Sequence, residues 1–232
     1  MTRLAAKPHS LEIDFRETAV VVVDMQNAFV SQGGMFDLAG VDISDAPNVI
    51  QVNRRLLDAC RKAGLKVIYL QMTYKPDLSD AGNPASPNYH KELAMVLMRE
   101  RPELGGTLLV DGTWDWKIVE ALAPQPGDRV VAKTRYSGFC RTPLAELLRR
   151  DRIRNLLFTG VATNVCVEST ARDAYFEEFW PILVEDAMNH AGPDFSRQAT
   201  LWNFENVFGW VTTSDAVIQA LAWQTAPALA HT

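Results

Sequence analysis

Asn155-Leu156-Leu157-Phe158-Thr159-Gly160-Val161-Ala162-Thr163-Asn164-Val165-Cys166-Val167-Glu168-Ser169-Thr170 reads as a buried strand, a turn and the start of a helix. The apolar run at its head is short and does not alternate, as expected of a strand covered on both faces. Ala171-Arg172-Asp173-Ala174-Tyr175 continues it as a helix. A cysteine therefore falls in the first helical turn just beyond a strand end. A helix N-terminus carries partial positive charge and free N–H groups, which favour a thiolate and can hold an oxyanion.

Working outward, the same alternation recurs along the chain. Strands are predicted at Ala19–Asp24, Lys66–Met72, Arg129–Lys133, Asn155–Gly160, Trp180–Glu185 and Val207–Val211. Helices are predicted at Pro47–Ala63, Trp114–Leu122, Pro143–Asp151, Val165–Phe176, Phe195–Asn206 and Asp215–Leu221. Apolar strands alternating with helical patterns predict an α/β fold, with a mainly parallel sheet and helices on both faces. Residues 73–88 and 101–112 are rich in Pro, Gly, Ser and Asp and read as long loops, where specificity commonly resides. No linker interrupts the pattern, so residues 1–232 are expected to form one domain.

Two of these strands end on a charge: Val23 is followed by Asp24, and Ala132 by Lys133. In a parallel sheet the C-terminal strand ends converge on the ligand crevice. A carboxylate, an ammonium and a thiol are thus predicted to meet. Each has a bland alternative: a buried cysteine is most often structural, a strand-end Asp caps turns, and a strand-end Lys is usually solvated.

In these residues the sequence resembles the isochorismatase-like cysteine hydrolases. Their pattern is a strand-end Asp, a strand-end Lys and a Cys after a Gly-x-Ala/Thr-Thr segment. Val23-Asp24-Met25-Gln26-Asn27-Ala28, Gly33-Gly34 with Asp37-Leu38-Ala39-Gly40, Ser86-Pro87-Asn88, Arg135-Tyr136-Ser137-Gly138-Phe139 and Thr163–Thr170 carry the resemblance, which runs from about Leu11 to Leu221. Within the superfamily these segments look like the ureidoacrylate amidohydrolases of pyrimidine degradation.

The resemblance implies a six-stranded three-layer α/β/α fold and a Cys166–Asp24–Lys133 triad. Cys166 would be the nucleophile, Asp24 the general base and acid, and Lys133 a permanent cation beside both. The oxyanion hole would use the N–H groups of Ala162 and Cys166, with a cis peptide at Val161–Ala162. A homo-oligomer, dimer or tetramer, is implied as well. The expected reaction is metal-independent cleavage of a C–N bond in a small ureido or carbamoyl compound, giving ammonia and carbamate or carbon dioxide. Biuret, triuret or another small carboxamide is the alternative substrate, and a non-catalytic interaction module the alternative class.

Tyr136 and Phe139, just past Lys133, are predicted to line the pocket, with Phe29, Phe36, Met72 and Tyr74, and with Glu168 and Trp210 more remotely. The core is as good an address for scattered aromatics. Arg135, Lys75 and Lys91 are the cations available to anchor a substrate carboxylate. Met72-Thr73-Tyr74-Lys75-Pro76-Asp77-Leu78-Ser79-Asp80 departs from the ureidoacrylate pattern, which tends to place an Asn, a Gly-Trp and a later Glu here.

No metal or other cofactor is expected. His9, His90, His190 and His231 stand in no ligand spacing, the Asp-x-His of nicotinamidases does not occur, and no nucleotide-binding glycine motif is present. A net charge of −5 gives no reason to expect nucleic acid or an anionic membrane as partner. Three sparse cysteines, no signal-peptide pattern in Met1–Ser10 and no span-length apolar run predict a cytoplasmic enzyme acting on a small molecule. Cys60 and Cys140 are predicted to pack or line rather than react.

Overall fold

The computed structural model describes residues 1–225; His231 lies outside them. The strands, in chain order, are β1 (Thr2–Leu4), β2 (Leu11–Ile13), β3 (Thr18–Val23), β4 (Lys66–Met72), β5 (Arg129–Lys133), β6 (Asn155–Gly160), β7 (Trp180–Met188) and β8 (Trp210–Thr212). The helices are α1 (Asn27–Val30), α2 (Met35–Leu38), α3 (Ala46–Lys62), α4 (Pro87–Lys91), α5 (Leu93–Glu100), α6 (Leu144–Arg150), α7 (Glu168–Phe176), α8 (Asp194–Asn203) and α9 (Ser214–Thr225). β3 to β8 form a six-stranded sheet in the order β5-β4-β3-β6-β7-β8, and every neighbouring pair is parallel.

β3 shows why the layers form. All six of its residues are buried, and they alternate between two cores. Val20 and Val22 pack with Leu56 and Leu57 of α3 and Val217 and Leu221 of α9. Ala19, Val21 and Val23 pack with Leu144 and Leu148 of α6 and Ala171 and Ala174 of α7. The strand order runs one way from β3 to β5 and the other way from β6 to β8. The reversal point, between β3 and β6, is where an open parallel sheet leaves a crevice at its C-terminal edge.

Gly160 ends β6 at that point with φ +105°, and a Cβ there would lie 2.0 Å from the carbonyl oxygen of Val23. Gly160→Ala adds both steric overlap and a backbone angle that L-residues avoid. It is expected to cost on the order of 3 kcal/mol, read as a lowered denaturant midpoint. An unchanged midpoint would show that the two strand ends can separate.

Two sequence expectations are corrected, and one element is unforeseen. Trp114–Leu122 is not a helix; only Glu120–Leu122 forms a single 3-10 turn. Its backbone is committed elsewhere: Asn27 N donates to Lys117 O, Ala28 N to Asp115 O and Val119 N to Met25 O. The last strand starts later than predicted, at Trp210. Residues 204–208 instead extend α8 as a π-helical turn, with Phe204 fully buried in the core. The hairpin of β1 and β2 has no counterpart in the sequence pattern, because three-residue strands are too short to show a period.

Candidate active site

Asp24 directly follows β3 and has φ +49°, a left-handed conformation that a non-glycine residue adopts only when its surroundings enforce it. The enforcement is visible. Asp24 N donates to Leu70 O, and Gln26 N donates to Asp24 O. The Gln26 side chain accepts from Met72 N at 2.8 Å and donates to Met72 O at 2.9 Å and Trp116 O at 2.7 Å. The Asp24 carboxylate accepts from the same Met72 N at 3.0 Å. The non-helical segment around Trp116 is therefore a brace that holds this turn in place.

Lys133 ends β5, two strands away from β3. Strands lie about 4.8 Å apart, so only a long side chain crosses β4 to reach Asp24. Its ammonium sits 2.7 Å from Asp24 Oδ2 and donates to Met72 Sδ at 3.7 Å and to Arg135 O at 3.2 Å. Both charged side chains are fully buried. Cys166 lies in the π-helical turn Thr163–Val167 ahead of α7, and its thiol interacts with both Asp24 and Lys133. Thr170 donates to Cys166 O at 2.6 Å and accepts from Gly138 N at 3.0 Å, tying this turn to the loop after β5. Ala162 caps the turn, and the Val161–Ala162 peptide is cis.

The electrostatics are those of a dry cluster. Burial raises the pKa of Asp24, against the pull of Lys133. Burial works against the Lys133 ammonium, but Asp24 and Cys166 outweigh it, and Lys133 stays above its ordinary value. Burial also pushes the Cys166 thiol well up, although Lys133 draws it down. Burial thus works against charge on all three side chains, and the close Asp24–Lys133 pairing opposes it. The helix-terminus argument for a resting thiolate loses to burial.

The other expected residues separate. Tyr136 is half-buried, its hydroxyl pushed up to about 12 by burial, Glu92 and Cys166. Met72 and Tyr74 are buried; Tyr74 OH accepts from Asn88 Nδ2 at 3.1 Å. Arg135 is half-buried and donates to Thr134 O and Asp80 O. Phe29 meets Phe36 edge to face at 5.0 Å within the core under α1 and α2. Phe139 stacks on Phe179 with centroids 5.9 Å apart. Lys75 and Lys91 are exposed. Glu168 is paired with Arg172.

Trp210 is placed away from the site: it opens β8, at the opposite edge of a parallel sheet, and stacks on Trp180 at 5.1 Å. Cys60 is buried in α3, its thiol pushed up to about 12 by burial. The sequence reading singles out neither Gln26 nor Glu92. The motif Val23–Ala28 that contains Gln26 is the signal that could have found it, whereas nothing local marks Glu92. Among the described residues no group of three or more His, Cys, Asp or Glu could hold a metal ion, and no helix is long and apolar enough to cross a membrane.

The isochorismatase domain model matches residues 18–216. The chain is 54% identical over 210 residues to the ureidoacrylate amidohydrolase RutB of Rhizobium rhizogenes, covering 90% of this chain and 85% of that one. Among solved structures, a cysteine hydrolase from Pseudomonas syringae pv. phaseolicola superposes with a TM-score of 0.77 at 30% identity, covering 92% of this chain and 96% of the other. The N-carbamoylsarcosine amidase of Thermoplasma acidophilum gives 0.63 at 26% identity, covering 86% and 97%. A parallel sheet with a buried Asp–Lys pair and a cysteine at its reversal point, and relatives of this kind along almost its whole length, make this chain a member of the isochorismatase family and a hydrolase acting on amides.

Proposed function

We propose that this protein hydrolyses a small ureido acid of the ureidoacrylate type through a covalent intermediate on Cys166. The observation that carries this reading is the buried Asp24–Lys133 pair set against the Cys166 thiol. Asp24 takes the thiol proton as sulfur attacks the ureido carbonyl. The oxyanion is met by the N–H groups of Ala162 and Cys166. The tetrahedral adduct collapses by breaking the C–N bond to the substituted nitrogen, and Asp24 returns the proton to the departing amine. Cys166 is left as an S-carbamoyl thioester. Asp24 then deprotonates a water that attacks this carbonyl, carbamate leaves, and the thiol is restored. Carbamate decomposes to ammonia and carbon dioxide. Lys133 stays protonated throughout, so the net charge of the three side chains does not change while a proton shuttles between sulfur and carboxylate.

The ureidoacrylate assignment draws on relatives of this name at about half identity. The changed stretch Met72–Asp80 supports the second reading, a biuret- or triuret-type substrate, because Met72 offers no side-chain amide to a ureido group. Ammonia release from ureidoacrylate, biuret, triuret, carbamoyl amino acids and nicotinamide decides between them. Turnover of triuret or biuret without turnover of ureido acids would reject the first reading.

Arg135 is the cation nearest in sequence to Lys133, and the fold leaves it half-buried. If it anchors the substrate carboxylate, Arg135→Leu raises KM for a ureido acid by roughly tenfold with a smaller change in kcat, the pattern of lost ground-state binding. A neutral carbamoyl substrate should be nearly indifferent. Equal effects on both substrates would remove Arg135 from binding.

A further inference from the structure

Thr170 carries a hydroxyl that two sides of the crevice share. It stands on α7, four residues after Cys166, and is fully buried. Its hydroxyl donates to Cys166 O at 2.6 Å and accepts from Gly138 N at 3.0 Å. Tyr136 O lies 3.5 Å away, but a hydroxyl has one proton and the nearer carbonyl takes it. A helical threonine often bonds the carbonyl four residues back, and that bond alone would be local satisfaction. The bond from Gly138 is not local. It comes from the loop after β5, 32 residues away in the chain.

That loop is fixed at other points as well. Ser137 Oγ donates to Asp173 Oδ2 of α7 at 2.5 Å and accepts from Phe139 N at 3.1 Å. A Cβ on Gly138 would lie 2.3 Å from Leu70 Cδ1 and 3.2 Å from Thr170 Cγ2, so the loop backbone rests directly on β4 and on Thr170. Upstream in the same loop, Arg135 O accepts from the Lys133 ammonium at 3.2 Å. A short chain of contacts thus runs from Lys133 through this loop to Gly138, across the Thr170 hydroxyl and into the carbonyl of Cys166. No strand pairing does the same work: β5, which ends on Lys133, and β6, which leads to Cys166, are separated in the sheet by β4 and β3.

We propose that Thr170 is a positioning residue for the reaction: its hydroxyl sets the Cys166 peptide against the loop that holds the Lys133 ammonium, and so keeps sulfur, carboxylate and ammonium within mutual reach. It touches no substrate and moves no proton. A misplacement of about 1 Å between reacting groups can cost on the order of 100-fold in rate, so a buried bond at this junction matters to the chemistry. The inference rests on the reading of Cys166 as the nucleophile.

The test compares Thr170→Val, which keeps the shape and loses the hydroxyl, with Thr170→Ser, which keeps the hydroxyl and loses the methyl. The probe is iodoacetamide, and its labelling rate at Cys166 is followed against pH by peptide mass spectrometry, well below each variant's melting temperature. Both variants should melt lower than the unaltered protein, the first by leaving Gly138 N unpaired and the second by opening a small void. Only Thr170→Val is expected to label roughly tenfold more slowly at neutral pH, with its profile displaced upward by about one pH unit as the thiol loses its set distance from Lys133. Thr170→Ser should stay within about twofold of the unaltered protein. If Thr170→Val does not fold, Thr170→Ala replaces it, because alanine and serine at this position differ by the hydroxyl alone. A profile for the folded hydroxyl-free variant that superimposes on that of the unaltered protein overturns the proposal. So does a serine variant displaced as far as the hydroxyl-free one, which marks Thr170 as a packing residue. Turnover retained by Cys166→Ala would instead reject the nucleophile reading, whatever profiles the Thr170 variants give.

Discussion

Cys166→Ala is expected to fold with an unchanged melting profile and to lose turnover on the order of 10⁴-fold or more, because the covalent route has no other nucleophile. Unchanged folding follows from the packing. Cys166 lies beside Val167 and Ala171 in the core on the α7 side, and only its sulfur is removed. The turn that carries it is held by bonds that do not involve the thiol, from Val165 N and Val167 N to Ala162 O. Parallel alanine variants of the other two cysteines calibrate the result. Cys60 is sealed in α3 and Cys140 is half-buried beyond the loop of Tyr136, so both should retain most activity. If Cys140→Ala were as inactive as Cys166→Ala, the nucleophile would be misassigned. If Cys166→Ala kept more than a few per cent of activity, a covalent step on sulfur would be excluded.

Removing Lys133 should be almost as damaging, for a different reason. Both members of its ion pair are fully buried at 2.7 Å. Deleting one partner of such a pair typically costs about 3–5 kcal/mol when the other is left charged. Here Asp24 has an escape, because burial has already raised its pKa and the loss of Lys133 raises it further. Lys133→Met is therefore expected to fold with Asp24 protonated at neutral pH. A protonated Asp24 cannot take the thiol proton, and Lys133 is the group that draws the Cys166 thiol downward. Turnover should fall by roughly 10³-fold, and iodoacetamide labelling of Cys166 at neutral pH by at least about tenfold, with its profile displaced to higher pH. A structural lysine would behave otherwise, lowering stability and leaving the labelling profile superimposable on that of the unaltered protein. That result would remove Lys133 from the chemistry.

Much of this protein is legible in its amino-acid sequence. Strands buried on both faces announce a parallel sheet through composition alone, and a charge directly after such a strand marks the crevice edge. Asp24, Lys133 and Cys166 are legible for that reason: each is placed by its own short segment, and the sheet brings strand ends together. Whatever depends on segments distant in the chain stays hidden. Trp114–Leu122 has a helical pattern, yet its carbonyls serve Gln26, Asn27 and Gln71, and that demand overrides local propensity. Glu92 has no mark in the sequence, and only the packing of α5 shows it buried at that helix's N-cap. The sequence likewise suggests a cysteine made acidic by a helix terminus, whereas the closed packing around Cys166 reverses the sign. Local pattern determines which face of a segment is apolar and where a strand stops; how dry the resulting crevice becomes, and hence which group holds the proton, is a property of the assembled layers.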